Sequence, residues 1–372
     1  MYDVVIIGAG INGCSVAYEL SCAKQNVLVV DMDRVAGGGS GAAGAFISPK
    51  FSKAGLLKEL LHDAFLYSSE YYINNFAKYF TKTQLLHIAK DEKSAELLRY
   101  YKKHTSLKLE NIPEQFLSTL CDDAKKMQYI SLQSGIADAQ NMCLAMVEGI
   151  EFVKQKVDNI VYENGSWVIN GSYRAKNIVL ATGAYNQIIK EEHIKLRGIW
   201  GHRIDIKTTT KNQYSLHQFV SISPNTEGVL AIGATHNVHY HPQSSKSAYD
   251  IQEGRDELLQ KANKTLKLED VEVLKDYTGL RSGSFDYIPM VGMVVDSKKT
   301  LALQGINFKT KKPSYDDYIY YPNLYMINGN GGYGFVLAPY LAKILKENIL
   351  NAKKIDNSLL PARFFARWAK KL

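Results

Sequence analysis

The sequence predicts an α/β protein in which two domains interleave, one of them built on a β-α-β unit at the N-terminus. Three observations predict this. Asp3–Ile7 is a short, β-branched apolar run that leads into Gly8-Ala9-Gly10-Ile11-Asn12-Gly13. Far along the chain, a second strand-and-glycine pattern returns as Asn323–Asn328 followed by Gly329-Asn330-Gly331-Gly332-Tyr333-Gly334. Between them no repeat and no low-complexity linker appears, so the domains are expected to interleave rather than follow one another. The expected division is 1–75, 140–192 and 277–372 for a Rossmann-like cofactor-binding domain, and 76–139 with 193–276 for an α+β substrate domain.

The opening unit carries the most chemistry. A buried strand reads like Asp3–Ile7. A helical stretch over Cys14–Leu20 follows the glycines, and Val27–Val30 ends on Asp31. In this context each glycine of a GxGxxG turn has its own task. Gly8 lets the chain turn off the strand, Gly10 lets backbone approach a pyrophosphate, and Gly13 lets the helix lie close on the sheet. The helix N-terminus then offers N–H groups and a positive dipole end to phosphate. Asp31 lies eighteen positions after Gly13, close to the roughly 20 expected of an acid that binds a ribose hydroxyl. A plain glycine-rich turn would not explain the placing of Asp31.

The rest is read in order. Ala36–Ala45 is dense in small residues and includes Ser40, Ala43 and Gly44. Such a stretch can pack against a flat ligand. Leu56–Tyr79 has an apolar helical face. Residues 81–130 carry no chemistry-bearing motif. Strands are expected over 149–157 and 159–162, with Asn164-Gly165 as a hairpin turn to Trp167–Ile169. Asn177–Leu180 is another strand, running into Ala181-Thr182-Gly183-Ala184. Residues 197–240 are β-rich, 249–268 fit one amphipathic helix, and 305–322 form a Lys- and Tyr-rich loop. A helix over Phe335–Leu350 tolerates Pro339 because it falls early. After Pro361, helical spacing puts Arg363, Arg367, Lys370 and Lys371 on one face, and Phe364, Phe365, Trp368 and Leu372 on the next. The aromatic face is expected to dock on the protein and the basic face to meet phosphates, or else to serve solubility alone.

Composition excludes some classes. No apolar stretch reaches the roughly 20 residues of a membrane helix, and no basic region precedes the first strand, so a cytoplasmic protein without a signal peptide is expected. Cys14, Cys22, Cys121 and Cys143 form no CxxC or metal-type pair. They are expected to be reduced and mostly buried, which excludes a disulfide reductase and a metal site. The net charge of +8 favours a polyanionic partner such as nucleic acid, although many basic enzymes bind none.

Taken together, Gly8–Gly13 with Asp31, Ser40-Gly41-Ala42-Ala43-Gly44, Leu180–Ala184, the Gly329–Gly334 turn before a helix, and Gly279-Leu280-Arg281-Ser282-Gly283 running on to Asp286, Pro289 and Gly292 resemble the FAD-dependent D-amino-acid-oxidase/glycine-oxidase superfamily. The resemblance implies a glycine-oxidase-like fold and an oxidoreductase acting on CH–NH groups. It implies FAD contacts at Gly8, Gly10, Ile11, Asn12, Gly13, Asp31, Ser40, Ala43, Gly44, Val157, Ala181, Thr182, Gly183, Gly329, Asn330, Gly331, Gly332, Tyr333 and Gly334. FAD is expected without a covalent bond, since related enzymes attach it to a late cysteine and the last here is Cys143. Arg281 is the candidate for holding a substrate carboxylate, unless Asp286 ties it to its own domain. Tyr333 would line the substrate side. His202 and His236 are weaker candidates, and no general base is assigned.

The chain is similar, more narrowly, to the oxidoreductase half of the bifunctional wobble-uridine tRNA-modifying MnmC family. Gly41–Pro49, Leu196-Arg197-Gly198, Ala231-Ile232-Gly233-Ala234-Thr235 and Leu360-Pro361-Ala362-Arg363-Phe364 carry that similarity. It implies removal of a carboxymethyl group from carboxymethylaminomethyl-uridine, with tRNA as partner. The family's methyltransferase domain has no counterpart in the sequence. Two other readings stay open: an oxidase of glycine, sarcosine or a D-amino acid, and a flavin- and RNA-binding protein without turnover.

Overall fold

A computed structural model describes residues 1–185, 188–303, 308–309 and 313–372. The chain divides into two compact units: 1–40, 143–198 and 280–372 form the first, and 41–142 with 199–279 the second. By compactness the first break falls after Ser40, whereas the sequence reading kept 1–75 together.

The first unit is built on a sheet whose strands run in the order Met290–Val295, Tyr320–Asn328, Tyr173–Leu180, Tyr2–Ile7, Val27–Asp31 and Glu151–Lys154. Pairing is parallel from Tyr320–Asn328 through to Glu151–Lys154, and antiparallel at Met290–Val295. Alternation along the first strand sorts its side chains. Val5 and Ile7 join a core with Leu28, Val30, Trp167 and Ile169. Ile6 points the other way, under Gly13 of the helix Ile11–Cys22. That helix packs beside Gly334–Asn351, and a Lys346 Nζ–Glu19 Oε2 pair at 2.7 Å joins them. The helix begins at Ile11, three residues before its expected start, because Cys14 N already bonds Gly10 O at 2.9 Å. The hairpin forms as expected, with Asn164 at φ +49° and Gly165 at φ +76° and Tyr162 opposite Trp167. Of its neighbouring strands, Glu151–Lys154 is shorter than the expected 149–157, and Ile160–Glu163 is shifted by one residue from the expected 159–162.

Most of a second sheet lies in the second unit, in the order Glu272–Ser284, Leu196–Lys207, Val229–Gly233, Ser221–Ile222, Ser215–His217, Phe80–Ile88, Tyr129–Ala137 and Phe46–Ile47, with 280–284 and 196–198 counted in the first. Leu86, Ile204, Leu216, Leu230 and Ile232 put one face against Leu258 and Ala262 of the helix Ile251–Ala262. That helix is shorter than the 249–268 reading. Asp250 caps its start by accepting from Glu253 N at 3.0 Å, and past its end Leu266 is drawn into a β-bridge with Leu120. The helix Leu56–Asn75 likewise stops early and gives way to a 3-10 turn at Ala77–Tyr79.

The aromatic side of the C-terminal tail packs as expected only in part. Phe365 is fully buried with Val295, Phe308 and Tyr318, but Leu372 is exposed. The expectation of buried cysteines also needs correction: Cys14 and Cys143 are buried, while Cys22 is exposed on the last turn of its helix. Much of the Lys- and Tyr-rich loop at 305–322 lies outside the described residues. No described helix is long and apolar enough to cross a membrane.

Candidate active site

In the first unit, residues distant in sequence meet at the ends of the parallel strands. Gly8 has φ +108°, and a Cβ there would lie 2.4 Å from Ala181 O. Only glycine lets the two strand ends approach so closely. Gly13 is tighter still: its Cβ would sit 1.9 Å from Gly8 O. Asp31 Oδ2 accepts from Ala9 N at 2.8 Å, and Oδ1 accepts from Asp33 N at 2.9 Å. The carboxylate is thus aimed by backbone, with acceptor capacity left for a hydroxyl. Ser40 Oγ accepts from Ile11 N at 2.9 Å, at the helix N-terminus. No acidic side chain lies in the first turn of that helix or of Gly334–Asn351, so both positive ends remain fit for anionic or electron-rich groups.

The second glycine turn is tied to the first. Asn330 Nδ2 donates to Asn12 Oδ1 at 2.7 Å. Asn328, buried at the end of its strand, is a hub that sequence reasoning missed. Its Nδ2 donates to Gly183 O at 2.9 Å, while its Oδ1 accepts from Ser282 Oγ and Gly329 N, each at 2.8 Å. An asparagine closing a strand before glycine was the one visible signal. At Gly332 a Cβ would meet nothing within 4 Å and φ is not left-handed. Protein packing therefore does not demand glycine there, and the open space suits a flat group lying against the turn.

The other expected residues are placed as follows. Ala43 and Gly44 belong to the second unit, where Arg203 Nη1 donates to Ala43 O at 2.9 Å. Val157 is buried in the sheet core with Trp167. Thr182 borders the Gly8 turn. Tyr333 closes the 3-10 turn Gly331–Tyr333, half-buried, ahead of Gly334. Arg281 is half-buried, and burial pulls its guanidinium down from the ordinary arginine value. The Asp286 carboxylate, the alternative partner expected for it, is held by Arg363 at 2.8 Å. The same pair removes Arg363 from the expected basic face of the tail. His202 is no catalyst by its surroundings: it is fully buried, with Nε2 2.9 Å from Asp276 Oδ1, and Arg255 clamps that carboxylate from the other side. His236 is exposed.

The β-α-β unit with its glycine turn, and the second glycine turn before a long helix, are of the kind that flavin-dependent oxidoreductases use. The chain belongs to the FAD dependent oxidoreductase (DAO) family, whose pattern matches residues 3–348. It is an enzyme, and its cofactor is FAD. Over 98% of its length it is 25% identical to the "tRNA 5-methylaminomethyl-2-thiouridine biosynthesis bifunctional protein MnmC" of Legionella pneumophila, of which it covers 57%. The chain thus spans a little over half the length of such relatives. Among solved structures it superposes on glycine oxidase from Bacillus cereus with a TM-score of 0.74 at 18% identity, covering 95% of this chain and 96% of that one. Iminodiacetate oxidase from Chelativorans gives 0.73 at 17% identity, covering 96% and 98%. These likenesses show the α/β fold expected from sequence. The residues present fit FAD: the Gly8–Gly13 cradle would hold the pyrophosphate, Asp31 the ribose, and the Gly329–Gly334 turn the flavin.

Proposed function

We propose that this protein removes the carboxymethyl group from carboxymethylaminomethyl-uridine at the tRNA wobble position, leaving aminomethyl-uridine, in the cytoplasm. The observation that carries the reading is similarity to MnmC proteins along 98% of the chain. FAD, when bound, supplies a hydride acceptor for the carbon beside the amine nitrogen, and hydrolysis of the resulting imine releases glyoxylate and leaves the primary amine.

The chain's own residues bind and orient. Arg281 holds the substrate carboxylate through two parallel N–H bonds, which a partly dry setting strengthens. The N-terminus of Gly334–Asn351 offers positive potential where electron density builds on reduction. Tyr333 borders the substrate. A neutral amine needs no general base, and none is assigned.

A second reading, oxidation of a small amine, is favoured by the glycine oxidase and iminodiacetate oxidase folds. Iminodiacetate and the modified uridine both carry an N-carboxymethyl group on a secondary amine. The test is anaerobic mixing of the purified yellow holoenzyme with tRNA bearing the modified uridine, or with glycine, sarcosine or iminodiacetate. Bleaching with tRNA, one glyoxylate per flavin, and an aminomethyl-uridine by mass spectrometry are expected. Bleaching by small amines alone would replace the proposal with the second reading. RNA binding with no bleaching by any of them would leave a flavin- and RNA-binding protein without turnover.

A further inference from the structure

Residues 284–288 form a turn tied firmly from within the first unit. Asp286 sits at its centre. Its carboxylate takes the Arg363 fork, from Nε at 2.8 Å and Nη2 at 2.9 Å, and also accepts from Ser284 Oγ and Ile288 N at 3.1 Å. Burial pushes the Asp286 carboxyl up, but the Arg363 fork and the turn's own donors outweigh it and hold it below its ordinary value. Arg363 Nη2 donates further to Ile288 O at 2.6 Å. A bidentate arginine–carboxylate pair of this kind fixes geometry as well as charge.

The tied turn displays two rings. Phe285 is 54% exposed and Tyr287 66%, the most exposed aromatic side chains among the described residues. Tyr287 has φ +66°, a conformation that glycine or asparagine adopts at less cost. Folding therefore gives no reason for a bulky ring at that position, and the strain points to a use. The Arg197 guanidinium lies 5.1 Å from the Phe285 ring centroid and 4.6 Å from that of Tyr287. Its Nη2 donates to Ser284 O at 3.0 Å. Two rings are thus backed by a cation, with much of their surface left in water.

We propose that Phe285 and Tyr287 form a stacking platform for unpaired bases of an RNA loop. This rests on the tRNA reading above and names the surface that takes the RNA. Bases in single-stranded loops can splay out and stack on aromatic side chains. A cation–π contact behind each ring suits a polyanion that brings π-faces. The net charge of +8 attracts phosphate and disfavours a second copy of the same chain on this patch.

The experiment uses the FAD-loaded protein and tRNA bearing the modified wobble uridine, with dissociation constants taken across a salt titration. The Phe285→Leu/Tyr287→Leu double variant keeps apolar bulk but loses the rings. Its dissociation constant should rise about tenfold or more, with the log–log salt slope unchanged because no phosphate contact is lost. Flavin content and oxidation of the free modified nucleoside should match wild type, and Phe285→Tyr/Tyr287→Phe should bind tRNA normally. Affinity within twofold of wild type in the leucine variant, while wild type binds tRNA, overturns the platform and leaves the proposed function standing. A loss of affinity shared by the aromatic swap, or accompanied by a lower melting temperature, overturns it in favour of a structural role. If the wild-type protein binds no tRNA, the proposed function fails and the platform with it.

Discussion

Polar groups are handled differently in the two units. In the first, the candidate site is made from backbone and small residues: Gly8, Gly13, Ala9 N, Ile11 N and Gly183 O, with Asp31, Ser40 and Asn328 holding them in place. Positive helix ends and open space remain for a ligand. In the second, one buried polar cluster is paired off inside the protein, while buried ring nitrogens of His87 and His217 make no hydrogen bond among the described residues. His202, Asp276 and Arg255 satisfy one another, with Tyr249 Oη 3.4 Å from His202 Nδ1. A site meant for a cofactor keeps its hydrogen-bonding capacity unspent, whereas a cluster meant for folding uses it up.

The sharpest break of this contrast is at Gly13. Gly13→Val would drive carbon into Gly8 O, where even a Cβ comes within 1.9 Å. We expect a loss of more than about 3 kcal/mol, beyond ordinary overpacking because backbone must move, and no retained flavin after gel filtration. Gly332→Ala is its counterpart: melting of the flavin-free protein should stay within about 0.5 kcal/mol of wild type, while flavin retention falls. Equal retention in that variant would mean the open space at Gly332 is not reserved for the cofactor.

Arg281→Lys tests whether a fork is needed in the substrate contact. An ammonium keeps the charge but not the two planar bonds. We expect kcat/KM for the carboxylate-bearing substrate to fall about 10- to 100-fold with normal flavin content. Wild-type kinetics would remove Arg281 from the site.

Asp31→Ala should cost about 1.5–3 kcal/mol of FAD affinity, the worth of a hydrogen bond to a charged group. It also removes the acceptor of Ala9 N and Asp33 N, so part of the loss will appear as a lower melting temperature. Flavin occupancy unchanged on dilution would contradict the ribose assignment.

The smallest effect belongs to the second unit. The Arg255 contact lowers the Asp276 carboxyl, burial opposes this, and His202 adds to the lowering. A depressed folded pKa contributes stability above the unfolded value, near pH 4, and that contribution is lost as pH falls through the folded value. Melting followed from pH 5 downward should therefore show an acid-side loss that Asp276→Asn flattens, with flavin affinity at pH 7 unaltered. An Asp276→Asn variant that keeps the full acid dependence would show that other carboxylates carry it.

The N-terminal β-α-β unit was legible because its contacts are local. Strand, glycine turn, helix and Asp31 lie within about thirty residues, and Gly13 and Asp31 answer demands set by Gly8 and Ala9 nearby. The Asn164-Gly165 hairpin was legible for the same reason: positive φ at both central residues selects those two types. Glycine at 329–334 could be seen, but not the Asn12–Asn330 bond that joins two turns 318 positions apart. Arg281 was left between a ligand role and a tie to Asp286. The sequence alone could not show that Arg363, 77 positions from Asp286, takes that carboxylate.

What the sequence determined by itself was therefore the fold class, the glycine turn after the first strand and the identity of the family. The fold class rests on periodicity, the family on the order of the motifs that resemble it, and the need for Gly13 on Gly8 five positions away. Tertiary structure alone decided which polar side chains are spent on folding and which stay available. His202 was removed from the candidates by Asp276, 74 positions away, and Phe285 and Tyr287 became prominent only when the turn between them was seen to be clamped. Hydrogen-bond satisfaction is a property of three-dimensional neighbourhoods, and the partners that decide it are set by chain topology rather than by local spacing.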